Sequence, residues 1–574
     1  MRAALLLLPV VCVLSQGCHG CNRGAAQQDR DAGPSSPDAT PSLDGGGALD
    51  GVVDLARGAD LLGDATVDTS SPSDLLAPAT TTLRPTWLQR VDGVDTRHFA
   101  RELSSGEVLW LLNQGYGSPE VVYGKGEANE TSVVGMLKPT LAWLDGSDGH
   151  LVRVRPIAGD HPETTGVAQA LVGFVESRGG EISVGGELGG GVVLNPGTAL
   201  AQPLLGPRGE GADELYAAID PFVARYSKDG EPLWVMRGAT PGPIHKTWFN
   251  QPRGLVALGD NELGFLGVVD GSGLALGADT ASPVTIPEAH GAFLVRLDGS
   301  GTPSLWQTHH DLDAASSKLA VANDGSLRWL FNLPGAATLN ASSASPTEIA
   351  PESGMTTTWV AAKLAPDGSI AWLRRLSSTG TCYFSDSVLR GSGALVIAGY
   401  CTGSLVIKDE ALVPLGPPIG VTGSVVLQLG DDGSVAWSRA QEGAALVYSG
   451  LVETSDGALW LGGALTGDGP VLPLDNAPPL QLPPHPAPVD QPRNYVVLYR
   501  LSDLGERAEA RLLGFDVQGQ LAATKDGGIL LATSLSASMR PAIFGGDGAL
   551  LEQPRCTVPW DACALLLRFD LSAP

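Results

Sequence analysis

The chain alternates apolar and polar residues in short runs joined by tight turns, and this pattern predicts antiparallel hairpins. In TTTWVAAKLAPDGSIAWLRRL, residues 356–376, alternation precedes and follows the turn Pro366-Asp367-Gly368. Side chains alternate between the two faces of a sheet, so Trp359 and Val360 are expected on opposite faces. Glycine adopts a positive φ without steric cost and aspartate caps the bend, as a hairpin turn requires.

The same hairpin recurs along the chain. Further copies begin at Pro139, Pro221, Ala292, Gly423 and Asn494. A second kind of hairpin lies between successive copies, and its turns fall at Gly106, Gly180, Asn261, Gly325, Gly393, Gly457 and Gly527, with spacings of 74, 81, 64, 68, 64 and 70 residues. One period of about 70 residues therefore contains two hairpins, or four strands, and seven such periods fit.

Repeated four-stranded antiparallel units predict an all-β fold, a seven-bladed β-propeller. Radial repetition protects sheet edges, whereas a linear stack needs a capping repeat at each end. No capping repeat is present, but TWLQRVDG from Thr86 and CALLLRFDL from Cys563 are complementary halves of one hairpin. The sequence therefore predicts a ring of four-stranded blades that is closed by pairing of the N-terminal strand with the C-terminal blade.

The repeat resembles that of exported bacterial β-propeller-repeat proteins, which reads roughly D-x-F-V-A-K-L-D-x-x-G-x-x-x-W. The resemblance covers nearly all of residues 86–574, and the motif is structural, so it specifies no ligand. The predicted blades span residues 97–157, 168–238, 254–308, 318–376, 386–441, 449–514, and 519–571 together with 86–92.

Tryptophan occupies the same strand position in five of the seven repeats, at residues 87, 234, 306, 372 and 437. Arg153 and Glu509 replace it in the other two, and we expect those blades to pack differently at the outer edge. We interpret the tryptophans as packing between blades, with carbohydrate stacking as the alternative.

The N-terminus has the form of an export signal. Arg2 precedes an apolar core of 12 residues, Ala3–Leu14, which is too short to span a bilayer. Gly17-Cys18 follows, and here the chain resembles bacterial lipoprotein precursors. The resemblance implies a signal peptide over residues 1–17 and lipidation at Cys18. Cys21 is the fallback, because Gln16 departs from the pattern, and a plain secretory signal is the alternative.

Residues 18–85 are predicted to comprise the lipidation site and a disordered linker. Residues 22–84 contain no Phe, Trp or Tyr, and their ten Asp and four Arg give a net charge of −6. Such a segment buries too little apolar surface to offset the entropy lost on ordering. As a random coil it would span roughly 45 Å, enough to hold a folded domain clear of a membrane.

Charge and hydropathy narrow the possible partners. The net charge is −26 and the pI about 4.6, so nucleic-acid binding is not expected. No apolar run after residue 20 reaches the ~20 residues of a spanning helix. We therefore expect a monomer that contacts a membrane only through its lipid anchor. It would be an outer membrane or cell-surface lipoprotein of a Gram-negative bacterium, or else periplasmic or secreted.

The cysteines agree with export. Cys382 and Cys401 flank a hairpin that turns at Gly391-Ser392, and this register places them directly opposite each other. Cys556 and Cys563 enclose a short loop before the last strand. Two disulfides, Cys382–Cys401 and Cys556–Cys563, are the economical interpretation for an oxidising compartment.

Motifs that would specify a catalytic or metal site are not found. The sequence contains no HExxH, no G-x-S-x-G after a strand and no phosphate-binding loop. His309, His310 and Asp311 form the most metal-like cluster, on an expected inter-blade loop, but a solvated loop is the favoured interpretation. No catalytic residue, metal or cofactor is predicted.

Three classes of function remain. The favoured one is an envelope-tethered binding or scaffold module that uses the long loops 402–422 and 466–492 for an unknown protein or glycan ligand. The second is a glycan-active or quinoprotein-like propeller enzyme, which needs convergent carboxylates or a cofactor cage. The third is an envelope assembly factor, similar to the propeller lipoprotein of outer-membrane barrel assembly, although that family has eight blades.

Overall fold

A computed structural model shows an all-β protein. It describes residues 85–571 except 115–119, 126, 135–138, 161–167, 189–191, 200, 205–219, 240–250, 270–272, 278–281, 288–289, 313–315, 443–446, 467–470, 473, 476–477, 482–493, 516–518, 536–541, 545–549 and 552–561. The described residues contain strands and turns but no helix. Accordingly, they include no helical segment long and apolar enough to cross a membrane.

Most strands belong to seven four-stranded antiparallel sheets, which we number 1 to 7 in chain order. Sheet 1 contains residues 98–102 of the strand Pro85–Glu102, then Val108–Gln114, Pro139–Leu144 and Leu151–Pro156. Sheet 2 contains Ala168–Glu176, Ile182–Leu188, Asp220–Tyr226 and Pro232–Ala239. Sheet 3 contains Gln251–Ala257, Leu263–Val269, Gly291–Leu297 and Pro303–His310.

The remaining four sheets follow the same order. Sheet 4 contains Lys318–Val321, Leu327–Asn332, Thr357–Leu364 and Ile370–Ser378. Sheet 5 contains Cys382–Leu389, Leu395–Lys408, Ile419–Leu429 and Val435–Glu442. Sheet 6 contains Val447–Glu453, Leu459–Thr466, Asn494–Leu501 and Arg507–Phe515. Sheet 7 contains Gly519–Ala523, Ile529–Leu535, Ala562–Phe569 and residues 85–94 of Pro85–Glu102.

The strand Pro85–Glu102 therefore belongs to two sheets. Its residues up to Val94 pair with Ala562–Phe569, and those from His98 onward pair with Val108–Gln114. The two orphan segments of the sequence, near the two ends of the chain, are thus neighbours in sheet 7.

The tight turns owe their shape to a recurring aspartate and glycine. In the turn of sheet 4, Asp367 Oδ1 accepts hydrogen bonds from the Ser369 N–H at 2.9 Å and the Ser369 hydroxyl at 2.7 Å. Gly368 has φ +89°, in the left-handed region that disfavours other residues. Asp432 and Ser434 repeat the same bonds in sheet 5.

Short hairpins occupy the connections between the second and third strands of most sheets. Beyond the sheets lie Glu120–Tyr123, Thr131–Val134, Ala158–Asp160, Val192–Leu194, Gln202–Leu204, Leu274–Leu276, Val284–Ile286, Ala337–Leu339, Thr347–Ile349, Val471–Leu472, Leu480–Gln481, Ala542–Phe544 and Leu550–Leu551. Several of them pair with the fourth strand of the preceding sheet; Leu274–Leu276, for example, pairs with Pro232–Ala239. They therefore fasten one sheet to the next.

The expectation of a long loop at 402–422 is wrong, because strands occupy most of this segment. Strands Leu395–Lys408 and Ile419–Leu429 extend into it, and residues 405–408 pair with residues 375–378 of sheet 4. Their backbone groups satisfy one another in a ladder, so only residues 409–418 form the bend. In the second expected loop, 466–492, the described part contains the short hairpin Val471–Leu472 and Leu480–Gln481.

The buried core consists of seven clusters, as far as the described residues show, and each joins two successive sheets. Trp143 of sheet 1 and Phe222 of sheet 2, for example, share one cluster. Another combines Trp87 and Leu530 of sheet 7 with Trp110 of sheet 1. Burial of apolar surface thus connects sheet 7 with sheet 1 in the same way as other neighbours.

The tryptophans of the fourth strands pack on the turns of the next sheet. The indole N–H of Trp87 donates to the Gly146 carbonyl at 3.0 Å, and that of Trp234 donates to the Gly299 carbonyl at 2.8 Å. A Cβ atom at Gly149 would lie only 2.7 Å from the ring of Trp87. Packing between sheets is therefore the role of this position, and it leaves Trp87 only 7% exposed for any stacking ligand.

The two repeats without this tryptophan differ as expected. In sheet 1 the residue types are exchanged across the hairpin, because Trp143 on the third strand lies opposite Arg153 and its ring contacts Gly230 of sheet 2. The Arg153 guanidinium lies over that ring, 4.6 Å from its centroid. In sheet 6, Glu509 bonds to Arg511 within its own strand. The next sheet has no turn for it to pack on, since the third and fourth strands of sheet 7 are joined by no hairpin.

Candidate ligand-binding cavity

One cavity receives residues from the first strand of all seven sheets. Its volume is about 520 Å³, within the range typical of small-molecule sites. The first strand pairs with the second on one edge only, so its other edge and alternating side chains are available to the cavity. The lining residues include Phe99, Arg101, Phe174, Arg253, Leu255, Lys318, Leu319, Val388, Val452, Glu453, Gln520 and Ala522.

First strands of successive sheets contact one another around this cavity, and sheet 7 contacts sheet 1. Four-stranded antiparallel sheets whose first strands share a central cavity have the architecture of a β-propeller.

Two aromatic side chains lie on one side of the cavity. Phe99 and Phe174 come from the neighbouring first strands of sheets 1 and 2 and are half-buried. Each also packs against the core cluster between these two sheets. Because packing restrains the rings while part of each remains accessible, they offer an apolar surface to a ligand.

Three cations line the cavity from separate sheets: Arg101 of sheet 1, Arg253 of sheet 3 and Lys318 of sheet 4. Arg101 is exposed, whereas Arg253 and Lys318 are half-buried. The side-chain amide of Gln251 accepts a hydrogen bond from the Arg253 guanidinium, which restrains its position. A protein of net charge −26 therefore presents positive charge at its centre.

The carboxylates nearest the cavity are engaged in contacts between sheets. Glu453, the acid in the lining, accepts a hydrogen bond from the Gly391 N–H at 2.8 Å and pairs with Arg390 at 3.1 Å. Equivalent glutamates end two other first strands. Glu176 accepts from the Ser104 N–H at 2.8 Å, and Glu102 accepts from the Lys525 N–H at 2.7 Å.

Asp386 is a buried carboxyl on the first strand of sheet 5. Its two oxygens accept hydrogen bonds from the Leu451 and Ser387 N–H groups, both at 2.8 Å. Burial raises the pKa of Asp386, and the positive charge of Lys318 opposes that rise. The positive charge of Lys318 is thus partly balanced by this carboxyl.

The residues proposed as a weak metal site do not converge. His309 is buried against the ring of Trp329, with centroids 4.8 Å apart, and its Nδ1 accepts a hydrogen bond from the Asn340 N–H at 3.1 Å. Burial lowers the pKa of His309 to about 3, assisted by the neighbouring His310. His310 and Asp311 are exposed at the end of the strand. Among the described residues, no group of three His, Cys, Asp or Glu side chains is placed to hold a metal ion.

The disulfide predicted between Cys382 and Cys401 is confirmed. The two residues are direct partners in the register of sheet 5, and their Cα atoms lie 4.1 Å apart. Cys563 is buried, but Cys556 lies outside the described residues, so that pairing stays a prediction. The lipidation candidates Cys18 and Cys21 also lie outside them, as do the signal peptide and linker.

Sequence reasoning missed the cavity cations. In the pairing of each first strand with its second strand, Arg101 lies one residue before the last pair. Val388 in sheet 5 and Val452 in sheet 6 occupy the same position. Lys318 similarly stands where sheet 7 has Gln520. An alignment of the seven first strands would have shown Arg101 at a position that is uncharged in the others, whereas Lys318 shares its position with Asp386 of sheet 5.

Comparison with known proteins gives no family. No family model matches the chain, and no curated protein matches it. Among solved structures, similarity extends to BamB from Moraxella catarrhalis, at 10% identity and a TM-score of 0.28, over 83% of this chain and 99% of that one. The intramolecular trans-sialidase from Ruminococcus gnavus is similar at 9% identity and a TM-score of 0.30, over 83% of this chain and 94% of that one. A quinohemoprotein alcohol dehydrogenase from Pseudomonas putida HK5 is similar at 14% identity and a TM-score of 0.31, over 86% of this chain and 78% of that one. Similarity at this level carries no inference about what the chain does.

Proposed function

We propose that the chain is a closed seven-bladed β-propeller that acts as a binding module, with the central cavity as its site. The observation that carries this proposal is the contribution of all seven first strands to one cavity. A site assembled from seven separate strands is rigid, and rigid frames favour pre-organised binding.

Contacts that repeat between successive sheets support closure. The second residue of the tight turn after a first strand donates its N–H to a glutamate of the next sheet in three places: Ser104 to Glu176, Gly391 to Glu453 and Lys525 to Glu102. The last of these joins sheet 7 to sheet 1. The core cluster shared by these two sheets supports the same conclusion.

The proposal places the module in the cell envelope, exported and held by acylation at Cys18 through the linker of residues 18–85. The short apolar core that ends at Gly17-Cys18 supports it. Metabolic labelling with palmitate, in the wild type and in Cys18→Ser, tests this step. Label in the wild type and not in the variant is expected, and an unlabelled wild type contradicts acylation.

The binding function is tested by ligand-observed NMR with a mixed library of small polar molecules and purified protein. Attenuated signals for a subset of compounds, at concentrations unchanged after a day, are expected of a binding module. Formation of a product would contradict it and favour the enzyme alternative. If no compound binds, the cavity serves only to hold the sheets together.

A further inference from the structure

We propose that the central cavity binds a small organic anion, one that carries a carboxylate or phosphate on an apolar or ring-shaped body. This inference rests on the proposed binding function and specifies the ligand class. It follows from the side chains that line the cavity, which include three cations, two phenylalanines and one carboxylate that is held in contacts between sheets.

The negative charge on the wall is already compensated. Glu453 accepts the Gly391 N–H at 2.8 Å and pairs with Arg390 at 3.1 Å, in contacts that connect sheets 5 and 6. One oxygen accepts the backbone N–H and the other accepts the Arg390 guanidinium, so the charge of this carboxylate is already paired within the protein. The carboxylate is therefore part of the frame.

The positive charges are distributed along the wall. Arg101 lies one pairing step from the turn-side end of its strand and Lys318 three steps from the end of its own. At about 3.3 Å per residue, the two backbones differ in depth by about 7 Å. Arg253 lies at the irregularity between Pro252 and Gly254, farther from the turns. Long flexible side chains at three depths and on three sheets can converge on one anionic group inside the cavity.

The shape and apolar lining favour an organic anion over a bare inorganic ion. Phe99 and Phe174 border the cavity on the side of Arg101, and a volume of about 520 Å³ far exceeds that of one phosphate. An aromatic or sugar-like ring could lie on the phenylalanines while its acidic group reaches Arg101. The first strand of sheet 1 carries both Phe99 and Arg101, and the first strands of the other sheets do not combine an aromatic with a basic residue in this way.

The negative surface of the protein does not oppose this inference. Exposed charges are screened beyond about 8–10 Å at physiological salt, whereas charges inside a cavity with low-dielectric walls are screened less. Local cations therefore decide the sign of the preferred ligand, although the net charge of −26 slows its approach. Reduced screening is not absent screening, and salt anions compete for the same cations, so the affinity for an organic anion should still fall as the salt concentration rises.

The test uses pairs of probes that differ in one property. Benzoate and benzamide differ in charge, benzoate and acetate in the ring, and benzoate and phenyl phosphate in the acidic group. Isothermal titration of purified protein should show saturable binding of benzoate or phenyl phosphate, at least about tenfold weaker binding of benzamide, and weaker binding of acetate. The tighter of the two aromatic anions identifies the acidic group.

Variants localise the effect. Arg101→Gln and Arg253→Gln should each weaken anion binding by about tenfold, the value of one charge-assisted hydrogen bond. Lys318→Gln is combined with Asp386→Asn so that no buried carboxylate loses its balancing charge. Arg178→Gln is the matched control: its exposed side chain pairs with Asp260 on the surface, and it should leave affinity unchanged.

Equal binding of benzoate and benzamide, or unchanged affinity in the cavity variants, would overturn the inference. If a variant unfolds, the salt dependence of benzoate binding to the wild type decides instead, and affinity independent of salt overturns the proposal. Absence of anion binding in a protein that binds neutral library compounds overturns this inference alone. Absence of all binding overturns the proposed function as well.

Discussion

The outer edges of the sheets and the wall of the cavity are built from the same seven repeats, but the repeats agree in only one of these regions. At the outer edge, tryptophans such as Trp87 and Trp234 make the same contact with the turn of the next sheet. On the cavity wall, Arg101, Arg253 and Lys318 have no equivalent in most other repeats. Repetition therefore marks the residues that hold the fold together, and the departures from it on the cavity wall are where we propose that a ligand binds.

The two exceptions at the outer edge support this distinction. Arg153 keeps the contact by exchanging places with Trp143, which shows that the ring matters more than the strand that carries it. Glu509 faces the sheet whose third and fourth strands come from opposite ends of the chain. There the missing tryptophan coincides with a missing turn, so structure and sequence depart from the repeat together.

Among equivalent positions of the repeat, Trp87 and Glu509 should differ most in the unfolding free energy lost on substitution by alanine. Trp87→Ala removes a ring that is 7% exposed and should lower the free energy of unfolding by about 3–5 kcal/mol. Glu509→Ala, at the same repeat position, should cost about 1–2 kcal/mol, because the Arg511 it pairs with is largely buried while Glu509 itself is 32% exposed. Urea unfolding of both variants measures this; similar losses would contradict the role of the turn contact.

Removal of the disulfide in sheet 5 is expected to be next in size. The double variant Cys382→Ala/Cys401→Ala opens a bridge between residues 19 apart and should cost about 3 kcal/mol. Urea unfolding of the variant, with wild type in reducing buffer as the control, measures the loss. A variant as stable as the wild type would show that the sheet ladder alone fixes this hairpin.

Low pH should destabilise the folded protein through His309, which lies near the end of the fourth strand of sheet 3. The folded-state pKa of about 3 lies below the ordinary value of 6.5, so this residue contributes stability above pH 6.5 that is lost as pH falls toward 3. Between pH 7 and 5 the expected loss is about 2 kcal/mol. His309→Gln should remove that part of the pH dependence while the carboxylates contribute equally in both proteins. The same slope in both would contradict a neutral buried histidine.

A smaller effect is expected for the turn carboxylate that bridges sheets 4 and 5. Asp431 pairs with the buried Arg328 and with Lys363 but is itself 54% exposed, so solvent weakens both pairs. Asp431→Ala should cost about 1–2 kcal/mol. Asp503→Ala, the same turn position in sheet 6 at 93% exposure, should cost under about 0.5 kcal/mol. Equal losses of unfolding free energy in the two variants, measured by thermal or urea unfolding, would show that the buried Arg328 does not depend on its pairing with Asp431.

Local patterns made the hairpins predictable. Alternation and Asp-Gly turns specify strands and register together, which is why the pairing of Cys382 with Cys401 followed from counting residues around one turn. The connecting hairpins were not predictable, since strands of two or three residues leave too few positions for a period to show. They form because a neighbouring sheet offers them an edge, as residues 375–378 do for residues 405–408.

The candidate site was harder to predict than the fold. Arg101, Arg253 and Lys318 are about 65 to 220 residues apart in sequence, and no spacing rule connects residues that meet only when separate sheets converge. The pattern also could not place His309, because a histidine at the end of a strand is equally compatible with a solvated loop and with burial against Trp329.

The most direct measurement of closure compares the thermal unfolding of chains that start at residue 81 and at residue 95. The shorter chain lacks the segment that pairs with Ala562–Phe569, which leaves a bare edge on sheet 7. We expect the chain starting at 81 to unfold in one cooperative transition near that of the full chain. The chain starting at 95 should unfold at a markedly lower temperature or without cooperativity. Equal stability of the two would contradict closure of the ring by the N-terminal strand.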